Sequence, residues 1–159
     1  MSRRGPRLAL AVQYASRDDD LPARPLLRRW VAAALERDAA VTLRFVGADE
    51  GSALNKAYRQ RSGATNVLSF VYDDDRGAVR GDLVFCVPVI RREAALQRKT
   101  MNAHCAHLVV HGMLHLQGYD HARAAGAARM ESCEVAILAA LGFPDPYRIP
   151  AATPSRSRR

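Results

Sequence analysis

Five histidines occur in this 159-residue chain, and four of them, His104, His107, His111 and His115, fall inside one segment of helical periodicity. At 100° per residue they cover only about 80° of a helix's circumference, so they form a single stripe. The informative spacing is His111, His115, Gly118, His121. Imidazoles at i and i+4 converge on one ion, and a glycine after them lets the chain turn back to deliver a third. Three neutral nitrogens leave one position open on a four-coordinate metal, the pattern of a catalytic zinc. One Zn2+ per chain is therefore expected, held by His111, His115 and His121. Packed or surface histidines are the plain alternative, and three at this spacing around a glycine outweigh it. His104 and His107, one and two turns back, are expected to pack or to orient the ligands.

The same spacing occurs in metzincin proteases, where a glutamate directly after the first histidine is the general base. Gly112 stands there in this chain. Without that carboxylate a zinc peptidase loses its usual base, and it is kept as an alternative reading.

The elements that must position the stripe follow from periodicity. Leu8, Leu10 and Val12 alternate as in a strand, and 41–46 alternates again. From Pro25 to about Arg37, Leu26, Leu27, Trp30, Val31, Ala34 and Leu35 recur at helical spacing. Asp49 is a candidate N-cap for a helix running to Arg61. Strand-like runs at 67–72 and 83–87, joined by a polar loop over 73–81, are expected to pair. Beyond Pro88 the pattern is helical over roughly 89–98, 101–117 and 123–141, where Gly142 and Pro144 stop it. The central histidine-bearing helix is expected to bury Val109, Met113 and Leu116 on the face opposite its histidines. Strands early and helices late predict an α+β fold: a single domain over 1–147, a mixed β-sheet of about four strands covered by helices, and a basic, disordered tail over 148–159.

Composition limits the function classes. With 48% hydrophobic and 25% charged residues the chain is neither disordered throughout nor a collagen-like repeat. No apolar run approaches a membrane span, and the basic N-terminus lacks a signal-peptide core, so no membrane partner and a cytoplasmic setting are expected. Cys86, Cys105 and Cys133 are widely spaced and read as reduced core residues. The net charge is +8, yet seven of the 24 basic side chains lie at the two ends and the body is close to neutral. Basic ends fit a polyanion partner without requiring one. The acidic loop Asp73–Asp75 reads as solvated surface.

The string His111-Gly-Met-Leu-His-Leu-Gln-Gly-Tyr-Asp-His121 closely resembles the signature of the YbeY family, bacterial metal-dependent endoribonucleases. Leu54-Asn-Lys-Ala-Tyr-Arg59, Thr65-Asn-Val-Leu-Ser-Phe70, Gly81-Asp-Leu-Val-Phe85 and Leu141-Gly-Phe-Pro-Asp-Pro-Tyr147 resemble the family's other segments in the family's order. The resemblance covers about 41–147. Departures at Arg61-Ser62, Ala64 and Ala122 touch loop contacts rather than the metal ligands.

This resemblance implies a zinc-bearing α+β domain that cuts single-stranded RNA, takes part in maturing the 3′ end of 16S rRNA, and associates with the small subunit and the ribosome. It implies His111, His115 and His121 as ligands and Arg59 as the functional arginine of the substrate cleft. His111 and Arg59 are thus the catalytic candidates. The chemistry agrees, because a phosphodiester under attack gathers charge on its non-bridging oxygens, and a Lewis acid beside a planar guanidinium fork can stabilise it. A non-enzymatic ribosome-assembly factor with a structural zinc is the remaining alternative. Asn55 shares a helix face with Arg59, either as its orienting partner or as a surface amide. Thr65 and Ser69 either donate to phosphate or satisfy local backbone. Asp120 either orients a ligand imidazole or caps the next helix. Glu131 and Glu134 read as solvated or salt-bridged helix residues.

Overall fold

The computed structural model describes residues 5–59, 66–72, 77–119 and 123–148, with side chains given for all of these except residues 58 and 59. Among them lie four strands, β1 (Leu8–Tyr14), β2 (Ala39–Val46), β3 (Val67–Tyr72) and β4 (Val79–Cys86). Five helices accompany them: α1 (Arg24–Ala33), α2 (Ala48–Arg59), α3 (Val87–Leu96), α4 (Met101–Leu116) and α5 (Ala124–Ala140). The sheet order is β1-β2-β4-β3. β1 and β2 run parallel, as do β2 and β4, while β3 lies antiparallel on the edge beside β4. This is the mixed four-stranded sheet and α+β class that the sequence predicts.

Alternation along the strands sorts side chains to two faces. Leu43, Phe45, Leu83 and Phe85 are fully buried on the face that carries α1, α3 and α4. Val46, Leu68 and Val84 form a smaller cluster on the other face, with Leu54 of α2 packed against it. Pro25 sits at the start of α1, which buries Leu27, Trp30 and Val31 at i, i+3 and i+4.

The histidine-bearing α4 is the hub, packed against α1, α3, α5 and the strands β3 and β4. Ten of its 16 residues are buried. The expectation of one buried face opposite the histidines therefore needs correction. Val109, Met113 and Leu116 are buried as predicted, but His104, Leu108 and Leu114 are too, because neighbours stand on nearly every side of the helix. The helix is fixed at both ends. Thr100 caps the start, its Oγ1 accepting the Ala103 N–H at 3.0 Å. At the far end Gly118 takes φ +104°, and Tyr119 N–H reaches back to Leu114 O at 3.0 Å. Glycine is suited to that left-handed position, and the turn sends the chain back as expected.

Several boundaries differ from the periodic reading, three of them instructively. α1 ends at Ala33 rather than near Arg37, because the buried Gln117 claims the following turn: its Oε1 accepts Glu36 N–H at 2.7 Å and its Nε2 donates to Ala34 O at 2.7 Å. Asp49 lies inside the first turn of α2 rather than capping it, since the helix begins at Ala48. β4 begins at Val79 rather than Leu83. Arg80, Gly81 and Asp82 look polar in sequence, but Val79 and Gly81 alternate inward and are buried.

Gly81 is there because backbone and helix close in on it. A β-carbon at this position would lie 2.6 Å from Phe70 O and 2.9 Å from Leu116 Cδ2. Gly81→Ala should therefore cost about 1–3 kcal/mol by overpacking, read as a lower urea midpoint at unchanged m-value. An unshifted midpoint would show that strand and helix move apart freely.

Candidate functional site

Two carboxylates organise the histidine stripe. Glu93 of α3 accepts from His104 Nε2 at 2.8 Å, and the Asn66 amide donates to the same carboxylate at 3.0 Å. Burial pushes the His104 pKa below its usual value against the pull of Glu93, which favours neutral imidazole. Glu134 of α5 is fully buried and meets His107 Nε2 through Oε1 at 2.9 Å and His111 Nδ1 through Oε2 at 2.6 Å. The Tyr147 hydroxyl donates to the same Oε1. Burial alone would raise the Glu134 pKa, but donation from His107, His111 and Tyr147 prevails and holds it at about 2.

The His111–Glu134 bond fixes a tautomer. A neutral imidazole that gives its Nδ1 proton to a carboxylate carries its lone pair on Nε2, on the far side of the ring. Metal-ligating histidines are commonly held this way, and His115 follows one turn later on the same face, half-buried. The donor set thus fits a borderline divalent metal. His107 differs, since it turns Nε2 into the Glu134 network and so occupies the position of a supporting group. No group of three or more His, Cys, Asp or Glu side chains gathers as a metal cluster among the described residues, and the third expected ligand, His121, lies outside them.

Ser69 of β3 pairs with Leu83 of β4. Directly opposed residues point to the same face, and a β-carbon at Gly112 would touch Leu83 Cδ1 at 2.8 Å. Ser69 therefore stands on the α4 side of the sheet, half-buried at the level of Gly112. Asn55 is 3% exposed, so its reading as a surface amide is overturned: α2 turns it inward. Arg59 is the last residue of α2. Its side chain, Thr65, Asp120, His121 and the loop Asp73–Asp75 lie outside the described residues, as does the tail from 149 onward.

Glu134 is the functional residue that the sequence reading missed. It bonds to His107 and His111, which answers to the salt-bridged alternative, but it is wholly buried rather than solvated. The signal was present: Met130, Glu134 and Leu138 are the buried residues of α5, so a carboxylate occupies the middle of an apolar i, i+4, i+8 stripe.

Comparison with known proteins extends these observations. The family model described as endoribonuclease YbeY matches residues 16–142. A Thiobacillus denitrificans protein named endoribonuclease YbeY is 56% identical over 143 residues, covering 89% of this chain and 97% of the relative. A Nitrosomonas europaea protein of the same name is 54% identical, covering 89% of this chain and 86% of its own length. The solution structure of a Thermotoga maritima protein superposes with a TM-score of 0.56 at 20% identity, over 91% of this chain and 99% of that one. That likeness supports the fold.

Because the Glu134 pKa is depressed from its ordinary 4.5, the network's stability is complete above about pH 4.5 and is lost as pH falls toward 2. In metal-free protein, Glu134→Gln should flatten that acid limb of the stability profile, removing at most about 3 kcal/mol of pH dependence. Denaturant melts from pH 6 to 2.5 measure it, and superimposable limbs for the two proteins would refute the account.

Proposed function

The chain belongs to the endoribonuclease YbeY family, and on that premise we propose that it is a zinc-dependent, single-strand-specific endoribonuclease that matures the 3′ end of 16S rRNA. Its setting is the cytoplasm, its partners are single-stranded RNA, the small-subunit rRNA and the ribosome, and its wider role is ribosome biogenesis and quality control. The observation that carries the metal half of this reading is the buried Glu134 carboxylate on His111 Nδ1 at 2.6 Å, which prepares the opposite nitrogen as a ligand.

His111, His115 and His121 would hold the ion. Bound there, it supplies Lewis acidity to a phosphodiester whose non-bridging oxygens gain charge during cleavage. The protein's own groups do the rest. Glu134 keeps the His111 proton on Nδ1 and the ring in one orientation, and the His107 and Tyr147 donors keep Glu134 ionised in a place without water. Arg59 is assigned the fixed cation, because its planar fork can hold two phosphate oxygens together. Ser69 offers a hydroxyl from the sheet, and Asn55 supports the helix that carries Arg59. No carboxylate stands where a metzincin-like peptidase would need one: Gly112 is buried against Leu83, in the core rather than the cleft.

The test is cleavage of a labelled single-stranded RNA by wild type, His115→Ala and Arg59→Ala, purified identically with metal content measured. Arg59→Ala should retain metal and lose at least about 10²-fold in rate, and His115→Ala should lose both metal and rate. Equal cutting by all three would identify a contaminant, while a metal-loaded wild type that cuts nothing would leave the non-enzymatic assembly factor as the reading.

A further inference from the structure

Beyond the Glu134 network, a cleft of about 730 Å³ opens between the end of α3, the first half of α4 and residues 146–148. His107 belongs to both, lining the cleft and bonding to the carboxylate that orients His111. Four residues, about 6 Å along the axis, separate His107 from His111.

The walls of this cleft combine three kinds of group. Leu96 is 77% exposed and Tyr147 43% exposed, two of the four large apolar side chains that stand exposed among the described residues, and these two share one cleft. Tyr147 is nevertheless held firmly, its hydroxyl on Glu134 and its ring against His107 at 5.2 Å between centroids and 83° between planes. Arg98, Lys99 and Arg148 line the same space. The Lys99 ammonium donates to Pro146 O at 3.2 Å, which uses one of its three protons and joins the end of α3 to the C-terminal segment. Two carboxylates stand near these cations: Glu93, already engaged by Asn66 and His104, and Asp145, which acts on Lys99 and accepts the Tyr147 N–H at 2.8 Å, so three cations face two acids.

Arg98 sits at φ +56°, and Lys99 N–H closes the end of α3 by reaching Ala94 O at 2.9 Å. A helix end of this geometry favours glycine, which adopts the left-handed conformation without steric cost. The helix end requires that left-handed state, and an arginine rather than a glycine adopts it, which brings a long cationic side chain to the rim.

A preset aromatic ring, an apolar neighbour and several cations in one groove are the chemistry that receives a nucleotide: a flat base on the first two and phosphate on the last. We propose that this cleft is a nucleotide subsite, which takes one nucleotide of single-stranded RNA beside the cleavage point, its base against Tyr147 and Leu96 and its phosphate against Arg98, Lys99 and Arg148. The inference rests on the endoribonuclease reading for the identity of the ligand.

The experiment measures binding apart from cleavage. A fluorescein-labelled, 2′-O-methyl single-stranded oligonucleotide is titrated with metal-loaded wild type, Leu96→Ala, Arg148→Ala and, as a charge control on an exposed face of α1, Arg29→Ala. Leu96 and Arg148 are exposed, so unfolding midpoints should match wild type and confirm folded variants. Leu96→Ala should weaken binding about 5- to 10-fold with an unchanged salt slope. Arg148→Ala should weaken it similarly and reduce the salt slope by about one. Arg29→Ala should bind as wild type does. If Leu96→Ala and Arg148→Ala bind like wild type, or if Arg29→Ala weakens binding as much as Arg148→Ala, the subsite is overturned even where unmodified RNA is cut normally. If the predicted losses appear but metal-loaded wild type never cuts unmodified RNA, the subsite stands and the endoribonuclease reading falls. Absence of any RNA binding by wild type overturns the subsite.

Discussion

A carboxylate cut off from water must be surrounded by donors, and most of what is particular about this molecule follows from where Glu134 finds them. Two come from α4 and one from the segment after α5, so a single buried charge ties together the histidine helix, its neighbour and the C-terminal strap. Loss of the partners would strand the charge, and loss of the charge would strand two ring nitrogens and a phenol. Such an arrangement favours one geometry over its near alternatives rather than adding much net stability. For His111 the gain is a defined tautomer, which surface exposure would not supply.

The remaining architecture serves to keep α4 still. The sheet supports it from below through Leu83 and Gly112, α1 is locked to its last turn through Gln117, and α3 reaches it through Glu93. α2 packs on the opposite face of the sheet with its own small apolar cluster, and it also touches α3. β3, on the sheet edge, touches α4 as β4 does.

Much of this was legible from the chain alone. Period-2 and period-3.6 patterns located all nine elements described, and the histidine spacing with Gly118 marked the helix end and its reversal, because those signals are local. Errors arose where a partner distant in sequence decides. Gln117 shortens α1 across 81 residues between Glu36 and itself. Gly81 reads as a loop residue until Leu116 and the Phe70 carbonyl are seen to require its missing side chain. Asn55 reads as surface until the fold that encloses its helix face is present. Glu134 is the most instructive case: hydropathy treats a glutamate as solvent-facing wherever it stands, and only its place between Met130 and Leu138 distinguishes it from Glu131, three residues earlier.

The near-complete enclosure of α4 also bears on how such a protein can diversify. Most exchanges along that helix would be core mutations, each of which opens a cavity or forces a clash, so the machinery on it has little freedom to drift. The rim is another matter. Leu96, Arg98, Tyr147 and Arg148 border the cleft and are reached by water or lie at element ends, where substitution leaves the packing of the hub intact. On the two proposals above, the chemistry and the choice of what it acts on are separable in this fold, and adaptation to a new target proceeds at the rim while the buried helix stays as it is.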